Sequence, residues 1–158
     1  MRRSIIAAAI PFFLLAAGAW AGAGPAGHSH EGFSAGEPGD PKKPARVVSI
    51  SMRDGDGTMS FVPKNVDIRV GEQIKFVIRN NGVLDHEFVL ATTEENLKHA
   101  EAMKKNPDME HDDPNAKRLA PKKSDEIVWK FTKKGTFEYG CLIPGHRESG
   151  MVGTVVVN

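Results

Sequence analysis

Val66, Ile68 and Val70 alternate with Asp67 and Arg69. After a turn at Gly71-Glu72 the same period resumes, with Ile74, Phe76 and Ile78 set against Lys75, Val77 and Arg79. A period of two puts every second side chain on one face of an extended strand, so each segment offers one apolar face to a core. The same short-strand pattern recurs along the chain. Val47, Val48, Ile50 and Met52 precede the turn Asp54-Gly55-Asp56-Gly57, and Met59 to Pro63 is a second extended piece. Asn80-Asn81-Gly82 turns the chain into His86-Glu87-Phe88-Val89-Leu90. Later, Ile127, Trp129 and Phe131 alternate with Val128 and Lys130, Thr136 to Cys141 is extended, and Met151 to Val157 closes the chain with β-branched packing residues. Short strands broken by Gly, Asn and Asp predict a β-sandwich.

One stretch departs from this period. Thr92-x-x-Glu95 has the form of a capping box, Leu97, Ala100 and Met103 follow at helical spacing, and Pro107 stops the run. The spacing predicts one helix over residues 92–106, inserted between strands, then a polar loop as far as Lys123. The N-terminal part reads differently again. Arg2 and Arg3 precede an apolar run from Ile5 to Ala17, and Ala19-Trp20-Ala21 supplies a small-x-small end. That is the form of a secretory signal peptide over residues 1–21, with cleavage near Ala21 and the periplasm as destination. The run is too short to span a bilayer as an anchor. Residues 22–45 hold six Gly and four Pro and predict a flexible leader, in which His28 and His30 read as solvated. Residues 46–158 are then one domain.

Charge excludes one class of partner. The full sequence has Lys+Arg 21 and Asp+Glu 20, and losing Arg2 and Arg3 turns a net charge of +1 into about −1, no footprint for nucleic acid. The chain has one cysteine, Cys141, which cannot form a disulfide within its own chain. Taken alone it reads as a buried small hydrophobe, but its neighbours reverse that reading. Cys141, His146 and Met151 fall at equal gaps on a loop between two strands, with Pro144-Gly145 to turn the chain back and Gly150 to relax it before Met151. Thiolate and thioether are soft donors and imidazole is a common copper ligand, so this set points to copper. A structural zinc site would draw four ligands from Cys and His, and one cysteine and a thioether do not supply it. A second imidazole is required. His86, His99 and His111 are available, and His86 is favoured because it starts a strand and can be held rigidly.

Here the chain resembles the cupredoxins, the plastocyanin/azurin-like blue copper proteins. The resemblance rests on Phe61-x-Pro63, Val70-Gly71-Glu72, Phe76-x-x-Arg79-Asn80, His86 and the whole 141–151 loop. It covers residues 46–158 and is nearest to periplasmic cupredoxins associated with copper tolerance. The resemblance implies an all-β Greek-key sandwich with one inserted helix and a disordered leader. It also implies one type 1 copper per chain, with Cys141 as thiolate ligand, His86 and His146 completing the plane, and Met151 axial. Glu87 departs from the pattern, since many members carry Asn after the upstream histidine, where it ties the two ligand segments together.

A second set, His99, Met103, Met109 and His111, could capture further copper, but the plainer reading is that Met103 packs the helix and the others are solvated. The sequence therefore predicts a periplasmic copper protein for electron transfer, copper handling or both. The alternative is a tolerance protein that sequesters or oxidises copper through the additional Met and His residues, without a dedicated electron-transfer partner. No nucleophile-and-base motif is present and the main site is filled by four side chains, so an enzyme is not expected. A periplasmic redox partner, no stable membrane insertion and a monomer complete the expectation.

Overall fold

The computed structural model describes residues 32–107 and 113–158. Ten strands and one helix are assigned among them. In chain order these are β1 (Glu37–Pro38), β2 (Arg46–Gly55), β3 (Thr58–Val62), β4 (Asn65–Ile68), β5 (Gln73–Asn80), β6 (His86–Ala91), α1 (Thr93–Lys105), β7 (Ala116–Leu119), β8 (Ser124–Lys130), β9 (Gly135–Gly140) and β10 (Val152–Val157). They form two sheets, one in the order β1-β8-β5-β2-β3 and the other β4-β10-β9-β6-β7.

The alternation explains how the sheets face each other. From the first sheet, Val48, Ile50 and Met52 of β2, Ile74, Phe76 and Ile78 of β5, and Ile127 and Trp129 of β8 are buried. From the second, Phe88 and Leu90 of β6, Phe137 and Tyr139 of β9, and Val155 and Val157 of β10 meet them in one core. Aromatic rings link the layers: Phe61 lies edge-on to Tyr139 with centroids 5.1 Å apart, and Tyr139 stacks on Phe88 at 5.2 Å. The sandwich with one helix is the expected fold.

Helix α1 starts as expected. Thr92 accepts from the Glu95 N–H and the Glu95 carboxylate accepts from the Thr92 N–H, which together satisfy two backbone donors at the helix end. Its buried face differs from the expected one. Asn96, Ala100 and Met103 are buried, while Leu97 is 50% exposed. Asn96 is tolerated inside because its amide donates to Val89 O and to Glu138 Oε1. The helix lies on the outer face of the second sheet, where Ala100 and Met103 join Val89, Ala116 and Leu142 in a second apolar cluster.

Two further differences have physical causes. The expected polar loop to Lys123 contains β7, which pairs antiparallel with β6 and exposes its charged middle while Ala116 and Leu119 are buried. The described part of the expected flexible leader is packed onto the first sheet. Ala35 is fully buried and its carbonyl accepts from Trp129 Nε1 at 3.2 Å. Phe33 stands edge-on to the same indole at 5.1 Å, and Glu37 and Pro38 pair with β8. The proposed signal peptide, His28 and His30 lie outside the described residues.

Candidate metal centre

The site lies at one end of the sandwich, where three segments meet: the start of β6, the end of β9, and the loop between β9 and β10. His86 and Cys141 are fully buried and His146 is partly exposed. Their donor atoms lie within 4.8 Å of one another. His86 Nδ1 is 3.2 Å from His146 Nδ1, which is 3.3 Å from Cys141 Sγ.

The loop is folded by its own backbone. The N–H of Cys141 donates to Met151 O and that of Met151 to His146 O, both at 3.1 Å, so the two ends are clasped and His146 is drawn back beside the cysteine. The expected turn at Pro144-Gly145 is present, with Gly145 at φ 88, a conformation that glycine reaches without steric cost. Met151 is fully buried in the same core cluster as Cys141.

Burial acts differently on the two donors whose protonation it shifts: it keeps the Cys141 sulfur protonated until a metal displaces the proton, and it keeps His146 neutral. Burial pushes the Cys141 thiol up to about 12, although N–H groups of Glu87 and Ile143 directed at the sulfur favour the thiolate. The Glu87 N–H reaches Sγ at 3.3 Å. Burial and the neighbouring His86 hold His146 below the usual histidine range, which leaves a lone pair for a metal at neutral pH. Two imidazole nitrogens and a sulfur converging in this way form a donor set that fits copper.

Surrounding contacts fix the set. The Glu87 carboxyl accepts the Leu142 N–H, so it joins the segments that an asparagine ties in many cupredoxins. On the outer face, Arg147 donates to Glu138 Oε2 at 2.9 Å while Glu138 Oε1 accepts from Asn96 on α1. The inserted helix thus braces the loop that carries His146.

Two residues that the sequence reading did not assign to the site also contribute. Asn80 is fully buried and its amide donates to Leu84 O at 2.7 Å and Leu119 O at 2.9 Å, holding the approach to β6. Asp54, read from sequence as part of a turn, accepts from His86 Nε2 at 2.7 Å. Burial raises the pKa of Asp54, but the bonds from His86, Val83 and Leu84 outweigh it and the net shift is downward. Nothing local in Asp-Gly-Asp-Gly marks this contact, which reaches between the two sheets.

The weaker set is only partly covered by the described residues. Met103 is fully buried in the cluster beneath α1, His99 lies on the helix partly exposed, and Met109 and His111 fall outside the described residues.

Comparison with known proteins agrees with this geometry. Residues 48–158 match the family described as copper binding proteins, plastocyanin/azurin family. The copper-resistant cuproprotein CopI of Rubrivivax gelatinosus is 50% identical over 131 residues, covering 82% of this chain and 78% of that protein. The protein of the same name from Vibrio cholerae is 37% identical over 139 residues, covering 85% and 81%. Among solved structures, auracyanin B superposes with a TM-score of 0.62 at 23% identity, covering 78% of this chain and 96% of that one, a likeness of fold.

Proposed function

The chain belongs to the plastocyanin/azurin family of copper-binding proteins, and from that premise we propose that it is an exported copper-handling protein with one type 1 copper site. His86 Nδ1, Cys141 Sγ and His146 Nδ1 would hold the metal, with the Met151 thioether as a fourth ligand. The observation that carries the reading is the convergence of those three donor atoms, two of them on buried side chains, within 4.8 Å. Copper bound there supplies reversible one-electron chemistry. The residues keep the ligands in place in both oxidation states: backbone clasps hold the loop, Glu87 binds the Leu142 N–H, and Glu138 links Arg147 to the helix.

The names of the CopI relatives favour a role in copper resistance. That role is exercised in the periplasm, by a monomer, through a redox partner that approaches the partly exposed His146. Val83 and Leu84, 71% and 44% exposed, lie just before His86 in the chain and are the apolar surface proposed for that approach. Four protein ligands leave no coordination position for a substrate, so the protein is a carrier and not an enzyme. No described helix is long and apolar enough to cross a membrane.

Deleting the gene in its own host and measuring both copper sensitivity and respiratory electron flux tests the role. The expected result is greater copper sensitivity, restored by the wild-type gene and not by C141S. Unchanged copper tolerance, with reduced flux, contradicts it and assigns the protein to electron transport.

A further inference from the structure

Asp54 approaches the centre from the opposite sheet, at the end of β2. Its Oδ1 accepts from His86 Nε2 at 2.7 Å, from Val83 N at 2.9 Å and from Leu84 N at 3.3 Å, and its Oδ2 accepts from Val83 N at 3.1 Å. The side chain is only 6% exposed. Gly82 makes room for it, since a Cβ at that position would lie 1.6 Å from Asp54 Oδ1. A side chain that receives only N–H donors at these atoms is a carboxylate, the acceptor-only form of the residue.

The consequence passes through the imidazole. A histidine that gives its Nε2 proton to a carboxylate keeps Nδ1 as a lone pair, and Nδ1 is the atom that faces His146 at 3.2 Å. Metal-bound histidines usually give their other N–H to a carboxylate, a carbonyl or water, and this outer partner fixes the ring and raises its basicity. Here the partner carries a full negative charge, and its covered position limits screening by water.

We propose that Asp54 is a positioning residue for the copper site, which locks His86 in its Nε2–H form and biases the site toward Cu(II) over Cu(I). The bias follows from charge. With the cysteine bound as thiolate, the cupric centre remains cationic and the cuprous centre is neutral, so a nearby anion stabilises the oxidised state more. The proposal rests on the copper reading of the site, and the test separates the two.

The test uses the full chain with D54N and D54A. Asn keeps an oxygen at the Oδ1 position and removes the charge, so it retains the His86 contact and loses only the longer bond at Oδ2. In D54N the ratio of Cu(I) to Cu(II) affinity should rise about tenfold, read as a reduction potential higher by about 59 mV for one electron. In D54A the Cu(II) affinity should fall about 10–100-fold as His86 loses its outer partner. Long-range nitrogen–proton spectra of the metal-free protein should show His86 protonated on Nε2 in the wild type and D54N, and a mixture of forms in D54A. D54N carries the charge test if D54A fails to fold. A wild-type protein that takes up copper normally, with D54N at an unchanged potential or with metal-free His86 protonated on Nδ1, overturns the role of Asp54 alone. A wild-type protein that binds no copper overturns the copper reading and this proposal together.

Discussion

The backbone N–H of Glu87 donates to Cys141 Sγ at 3.3 Å, so the residue that follows one proposed ligand steadies the sulfur of another. The same residue returns through its side chain, whose carboxyl accepts the Leu142 N–H. Strand β6 and the ligand loop are thereby joined twice at one residue. Glu87 therefore makes the connection expected of an asparagine, with an ionisable group in a buried position.

That substitution has a pH signature. Burial raises the Glu87 carboxyl above its ordinary value of 4.5, against the pull of Arg118 and of the Leu142 N–H. A folded-state value above the unfolded one gives a contribution that is complete below about 4.5 and lost as pH rises through the folded value. E87Q, which keeps an acceptor for Leu142, removes this loss. Urea unfolding of the metal-free proteins should therefore favour E87Q increasingly between about pH 4 and about pH 8. A constant difference between the two proteins across that range contradicts the assignment.

Copper uptake should release a proton. The buried Cys141 thiol, pushed up to about 12, is protonated in the metal-free protein at neutral pH, and the metal requires thiolate. His146, held below the usual range, is already neutral there and releases none. Calorimetry in buffers of different ionisation heat should find about one proton released per chain, and Cu(II) affinity should fall about tenfold for each unit of acidification from neutral pH. A pH-independent affinity would show that sulfur is not a ligand.

The brace on the outer face is an ion pair whose side chains are 16% and 7% exposed, Arg147 and Glu138. R147A leaves Glu138 buried without its cation and should cost about 3–5 kcal/mol. The pair E138L/R147M should recover most of that loss, because an apolar pair of similar volume removes the stranded charge. Denaturant midpoints of E138L, R147M and the double variant measure the coupling. Additive losses would mean that the pair contributes nothing as a pair.

Met103 and Leu97 should behave oppositely although both lie on α1. M103A opens a cavity in a fully buried cluster and should cost about 2–5 kcal/mol. L97A, at a side chain 50% exposed, should stay within about 0.5 kcal/mol of the wild type. Copper stoichiometry should be the same in both, and a lower stoichiometry in M103A would give that sulfur a metal-binding role.

Much of this arrangement is legible in the sequence because it is periodic or local. The alternation around Ile74, Phe76 and Ile78 marks a strand, Thr92 and Glu95 mark the helix start, and Cys141, His146 and Met151 mark the ligand loop. What the sequence conceals depends on contacts between distant segments. The segment around β1 looks like leader because its Gly and Pro content disfavours order, and it is recruited by distant partners such as the Trp129 indole, the edge of β8 and the Gln73 side chain. β7 is hidden by its exposed, charged middle. Leu97 is apolar and Asn96 polar, yet Glu138 and Val89 O give Asn96 the partners that let it turn inward. Asp54 sits in a run that any local rule assigns to a turn, and its bond to His86 exists only once the two sheets are packed.

Titration of the metal-free chain with Cu(II), followed by visible absorption and repeated on C141S, tests the copper assignment most directly. The wild type should saturate at one copper per chain with intense visible absorption from the thiolate–copper bond. C141S should lose that absorption while unfolding cooperatively, as the wild type does. A C141S protein that retains the band, or a wild-type protein that saturates with copper and shows none, would contradict a cysteine-ligated copper centre.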